Sequence, residues 1–160
     1  MGSRLMLCLL TFIAAQSAGN ASCNTMGSSG CSGPDLKADR IEFTVVSAGA
    51  GRAVVRITGV VRNSGTLDFE SAPGKQSIAL FEGRRFLADR SFQTLKSGQE
   101  ARVEFDLEFD PNQLDPPAIY ELAIIYAPDI FQDSNPANDD CDRHNNRVQR
   151  SGNRISELLR

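Results

Sequence analysis

From Arg102 to Phe109 apolar and charged side chains alternate without a break. Val103, Phe105, Leu107 and Phe109 fall on one side, and Arg102, Glu104, Asp106 and Glu108 on the other. Successive side chains of an extended strand point to opposite faces, so this period of two describes a strand with one face packed and the other in water; a helix of 3.6 residues per turn cannot satisfy it. The texture recurs along the chain. Ile41, Phe43 and Val45 alternate with Glu42 and Thr44, while Ala53, Val55, Ile57, Gly59 and Val61 share one face of a run whose other face carries Val54, Arg56, Thr58, Val60 and Arg62. Ser77–Phe81, Arg85–Phe92, Ala118–Ala127 and Arg147–Arg150 complete a set of seven expected strands. Turn residues separate them at roughly 8–12-residue spacing: Ser47–Gly51, Asn63–Gly65, the hairpin signal Glu82-Gly83, Leu95–Gly98, Asp110-Pro111 and Asp115–Pro117. Helical periodicity is confined to Asn153–Leu159. The pattern predicts an all-β chain, an antiparallel immunoglobulin-like β-sandwich of about seven strands.

The N-terminus reads differently. Met1–Arg4 carries one positive charge, Leu5–Ala15 is almost wholly apolar, and small and polar residues follow through Cys23. That order predicts a secretory signal peptide over residues 1–17, because about 11 apolar residues suit a signal core and fall short of the ~18 needed to span a bilayer. Residues 18–36, rich in Gly, Ser and Asn, read as a flexible arm; residues 37–151 hold the strands, and 152–160 form a C-terminal tail. The expected location is therefore periplasmic, secreted or cell-surface, with no transmembrane span. Hydrophobic residues at 41% and charged ones at 23% fit an ordinary globular domain. With 17 basic against 20 acidic residues, the net charge of −3 argues against a nucleic-acid partner.

In an exported chain the cysteines become informative. Cys8 leaves with the signal, and Cys23, Cys31 and Cys141 remain in an oxidising compartment. One pair and one leftover is the simplest arithmetic. Cys23 as a lipoprotein cysteine is disfavoured, since Asn20-Ala21-Ser22 lacks the aliphatic residue expected three positions before it. No CxxC occurs, and the single histidine, His144, excludes multi-histidine metal sites.

Several segments together resemble a known family. Ala53–Phe69 (AVVRITGVVRNSGTLDF) is similar to the second strand and following turn of CARDB-type immunoglobulin-like domains of prokaryotic surface proteins. Leu95–Phe105 resembles their L-x-x-G turn and alternating strand, and Tyr120 with Asp133-Ser-Asn135 and Asn145-Asn146 resembles their closing hairpin. The similarity covers roughly residues 36–150, and the long cysteine-bearing loop before the last strand departs from it. The resemblance implies a cell-surface adhesion or accessory binding role, with a protein or glycan partner and no catalysis. In such a sandwich the chain enters its first strand at the same end as the loop joining the last two strands. Cys31 and Cys141 are accordingly the expected disulfide, with Cys23–Cys31 as the rival pairing.

The chemical constellations have plainer readings. Glu104, Asp106, Glu108 and Asp110 could suggest acid–base carboxylates, yet alternation alone makes them a solvated face, opposite Arg56 or Arg85. Gly49-Ala-Gly51 lacks the rest of a phosphate loop and reads as a hairpin turn. Asn63-Ser-Gly65 reads as a turn requiring positive φ. The loop Pro128–Asn146 is the expected contact surface, since scaffold loops carry recognition. Its candidate residues are Asp129, Asp133, Asn135, Asn138, Asp139, Asp140, Asp142, Asn145 and Asn146. Such oxygen-rich side chains are also what calcium prefers, but their spacing matches no EF-hand, and Asp and Asn equally build turns by bonding their own backbone. Turn chemistry is the preferred reading; no metal and no cofactor is expected. A rival function is a structural subunit that pairs an edge strand with another chain.

Overall fold

The computed structural model describes residues 32–49, 51–110 and 118–159. The chain is an all-β antiparallel sandwich. Among the described residues the seven long strands are β1 (Leu36–Gly49), β2 (Arg52–Asn63), β4 (Gln76–Glu82), β5 (Arg85–Ser91), β7 (Glu100–Phe109), β8 (Ile119–Tyr126) and β9 (Arg147–Ser151); each overlaps an expected strand, and β1 begins five residues before the expected run at Ile41. Two two-residue strands, β3 (Phe69–Glu70) and β6 (Thr94–Leu95), pair with each other, and the tail forms a short helix, α1 (Asn153–Leu158). One sheet has the order β1-β2-β7 and the other β5-β4-β8-β9.

The inner faces close on one core. Ile41, Val55, Ile57 and Val103 from the first sheet meet Ile78, Leu80, Tyr120, Leu122 and Ile124 from the second, all at 5% exposure or less. Phe43 and Tyr120 cross the interface edge to face, with ring centroids 5.3 Å apart. Phe105, expected to point inward with them, is only half-buried, as are Leu107 and Phe109 farther along β7. Gly59 marks the tightest approach of the sheets: a Cβ there would lie 2.4 Å from a Leu122 methyl. In α1, Ile155 is 1% exposed and seals the same core, so the tail is part of the packed domain.

The outer face of the first sheet is an ion-pair lattice. Arg40 bonds Glu100 at 2.9 Å and Glu42 at 2.6 Å, Arg102 bonds Glu100 at 3.0 Å, and Arg56 bonds Asp106 at 2.7 Å. Arg56 is the expected partner of the acidic row; Arg85 is not, because it pairs with Glu82 on its own hairpin. Val60, although on this outer face, is fully buried. It stands in register between Arg40 and Arg102, and arginine stems are apolar enough to shield such a neighbour while their charged heads stay in water.

Candidate functional site

The chain enters the sandwich beside the loop that precedes β9, as the topology requires. Gly33, Pro34 and Leu36, expected within the flexible arm, are buried. The Cys141 N–H donates to the Pro34 carbonyl at 3.0 Å. The expected pairing of Cys141 with Cys31 lies outside the described residues, as do the expected signal peptide and Cys23.

Asp140 is the centre of this junction. At 9% exposure its carboxylate accepts from the Leu36 N–H at 3.1 Å, the Tyr126 hydroxyl at 2.7 Å and the Asn146 amide at 2.7 Å. One side chain thus ties the start of β1, the end of β8 and the approach to β9. Burial pushes the Asp140 carboxyl above the ordinary carboxylate range, against the opposing pull of those three donors. Burial also raises the Tyr126 hydroxyl, with Asp140 adding to it. Asn146 further accepts, at its backbone carbonyl, from the Ile124 N–H at 2.9 Å.

The remaining candidates divide by role. Asp133 accepts from the Asn135 N–H and the Asn138 amide, both at 2.9 Å. Asn135 accepts from the Ala137 N–H and donates to the Glu70 carbonyl at 3.0 Å, fastening the loop to β3. Asn138, fully buried, also reaches the Ser71 hydroxyl, and Asn145 donates to the Asp35 carboxylate at 2.9 Å. The side-chain oxygens of Asn138 and Asn146 have no donor among the described residues, so both residues hold the loop through their amide N–H groups. Asp129 pairs with Lys75, which holds its carboxyl below the ordinary value. Asp142 caps the turn at His144. Asp139, Asp142 and His144 are exposed. Turn chemistry is therefore what most of these side chains do, and no group of three or more His, Cys, Asp or Glu in metal-holding geometry occurs among the described residues.

Asn63 anchors the neighbouring turn. Its side-chain oxygen accepts from the Asp35 and Gly65 N–H groups, and its amide donates to the carbonyls of Leu67 and Leu95, both at 2.8 Å. The glycine two residues on does not adopt the positive φ expected of it. Contact demands it instead: a Cβ on Gly65 would lie 2.3 Å from the Gly33 carbonyl oxygen. Sequence reading passed over Asp35, Glu70, Ser71 and Tyr126, which fasten the loop. Each sits in an unremarkable polar or strand context, and only the fold brings them to it.

No protein-family model matches the chain, and no curated protein matches its sequence. Among solved structures it is similar to a "putative lipoprotein" from Bacillus subtilis, at 14% identity and a TM-score of 0.35, over 78% of this chain and 38% of that one. This chain thus spans well under two thirds of that protein. No helix among the described residues is long and apolar enough to cross a membrane.

Proposed function

We propose that this chain is an exported, non-catalytic interaction module that binds a protein or glycan of the cell surface or periplasm through its 128–146 loop. The observation that carries the reading is the division of labour within that loop. Asp133, Asn135, Asn138, Asp140 and Asn146 use their polar groups to hold its shape, while Asp139 is exposed and Asp142, which caps the turn at His144, is exposed as well. A loop whose shape is set beforehand loses little conformational freedom on contact. Export rests on the basic, apolar and small segments of residues 1–23, and the resemblance of residues 36–150 to CARDB-type domains supports an adhesive or accessory role.

The test compares the wild type with Asp139→Asn/Asp142→Asn, using isolated envelope proteins and envelope polysaccharide as probes. An asparagine at 142 retains an oxygen for the His144 N–H, so the fold is kept. Binding weaker by about tenfold or more, at unchanged melting temperature, is the expected result. Equal binding by both proteins overturns the reading.

A further inference from the structure

The two sheets each leave one strand edge at a common seam. β7 ends the order β1-β2-β7 and β5 ends the order β5-β4-β8-β9. The two strands touch there without forming a ladder among the described residues. The Arg90 guanidinium donates to the Arg102 carbonyl at 3.1 Å across the seam. That bond reveals which way the β7 backbone faces. The N–H and C=O of one strand residue point to the same side, and the side alternates along the strand. The pairing of β7 with β2 runs from Arg102 to Phe109 without a bulge. Glu104, Asp106 and Glu108 therefore turn their N–H and C=O groups to the open edge, as Arg102 does, and none of these groups is bonded among the described residues.

The edge also has room and an unfinished apolar flank. A groove of about 460 Å³, lined by Asp89, Arg90, Arg102, Val103 and Glu104, opens on it. Val103 is 3% exposed, whereas Phe105, Leu107 and Phe109, next along the same face, pack against the core and remain half-open. On the other face the side chains are Glu104, Asp106 and Glu108. Asp106 is held by Arg56 at 2.7 Å, but among the described residues Glu104 and Glu108 have only long ion pairs, at 3.6 and 3.9 Å, and the Glu108 side chain is 82% exposed.

We propose that the Glu104–Phe109 edge of β7 docks an extended segment of a partner protein, which joins the sheet as a further strand. The occupant is defined by complementarity. Its apolar residues complete the cover over Phe105, Leu107 and Phe109, and its alternate residues are basic, facing Glu104 and Glu108. A second copy of this chain adding its own β7 would set carboxylate against carboxylate, and like charges directly opposite across a strand pair are unfavourable. Backbone bonding supplies the attraction, and the alternating pattern supplies the selectivity. This edge is separate from the 128–146 loop, so the failure of either interface leaves the other standing.

The experiment uses a capped hexapeptide of alternating valine and lysine, with a valine–glutamate peptide as its counterpart. Glu104→Pro removes an N–H that faces the open edge and takes no part in the β2 ladder, a position where proline is tolerated. The wild type should bind the lysine peptide, and Glu104→Pro should bind it about tenfold or more weakly. The amides of Glu104, Asp106 and Glu108 in the wild type should exchange hydrogen more slowly when the peptide is present, a readout independent of whether the proline variant folds. Glu104→Lys/Glu108→Lys should prefer the glutamate peptide. No slowing at those amides, equal binding of the two peptides by the wild type, or equal binding by Glu104→Pro overturns the proposal. A wild-type dimer that Glu104→Pro abolishes also overturns it, because the occupant is then a second copy.

Discussion

Asp140 shows how a single buried carboxylate organises the loop end. Its three donors, the Leu36 N–H, the Tyr126 hydroxyl and the Asn146 amide, come from three separate stretches of chain. Removing the acceptor leaves buried donors unpaired, and each costs roughly 1–3 kcal/mol. Asp140→Ala should therefore lower unfolding free energy by about 2–3 kcal/mol after the relief of burying a charge, measured by denaturant titration. Protonation has a definite sign here. The folded carboxyl is held above its unfolded value, chiefly by burial, so the native state binds the proton more tightly. That contribution is fully present below the unfolded carboxylate value, near pH 3.9, and is lost as pH rises through the folded one. The stability advantage of the wild type over Asp140→Asn should accordingly shrink from acid toward neutral pH; a constant or growing advantage would contradict the burial argument. Glu100, Asp106 and Asp129 behave oppositely. Arg40, Arg56 and Lys75 hold their carboxyls down, so what they contribute is present above the unfolded value and lost as pH falls through the folded one.

The elements show which parts of the fold could be read from the residues. β7 was legible because Arg102–Phe109 keeps one phase throughout its pairing with β2. β1 was legible only from Ile41, although the strand begins at Leu36. A bulge between Ala38 and Arg40 shifts the phase, so that buried Leu36 and Ala38 are even-numbered while Ile41 and Phe43 are odd. A period of two cannot be recognised across such a shift. β3 and β6, two residues each, are too short to display any period. Gly65 gave a turn signal, but its reason is contact with the chain at Gly33 and Asp35. Gly65→Ala should cost about 1–3 kcal/mol, the usual range for overpacking, and should loosen the attachment of residues 33–35; a melting temperature equal to wild type would show that the backbone there yields freely. The bond between the Cys141 N–H and the Pro34 carbonyl brings the loop beside the segment that follows Cys31. Non-reducing peptide mapping should recover Cys31 linked to Cys141, and reduction should destabilise by up to about 4–5 kcal/mol for a closed loop of about 110 residues. A Cys23–Cys141 peptide would assign the bridge to the other upstream cysteine.

For the whole molecule, the acidic loop was visible in composition and its organisation was not. Nine Asp and Asn residues between 129 and 146 announce either oxygen ligands or turn chemistry, and the choice depends on partners distant in the chain. Asp35 and Leu36 lie more than a hundred residues from Asn145 and Asp140, while Glu70 and Ser71 meet Asn135 and Asn138 from the middle of the chain. No local spacing encodes those meetings. These hydrogen bonds join the 128–146 loop to the sandwich, and the loop is predicted to keep its place with no requirement for calcium. Native-state hydrogen exchange of the full chain, in excess calcium and in chelator, tests it most directly. The amides of Leu36, Ile124 and Cys141, bonded to Asp140, Asn146 and Pro34, should exchange only through global unfolding and identically in both conditions. Exchange of those amides by local opening while the core strands stay protected, or their release by chelator alone, would contradict the account.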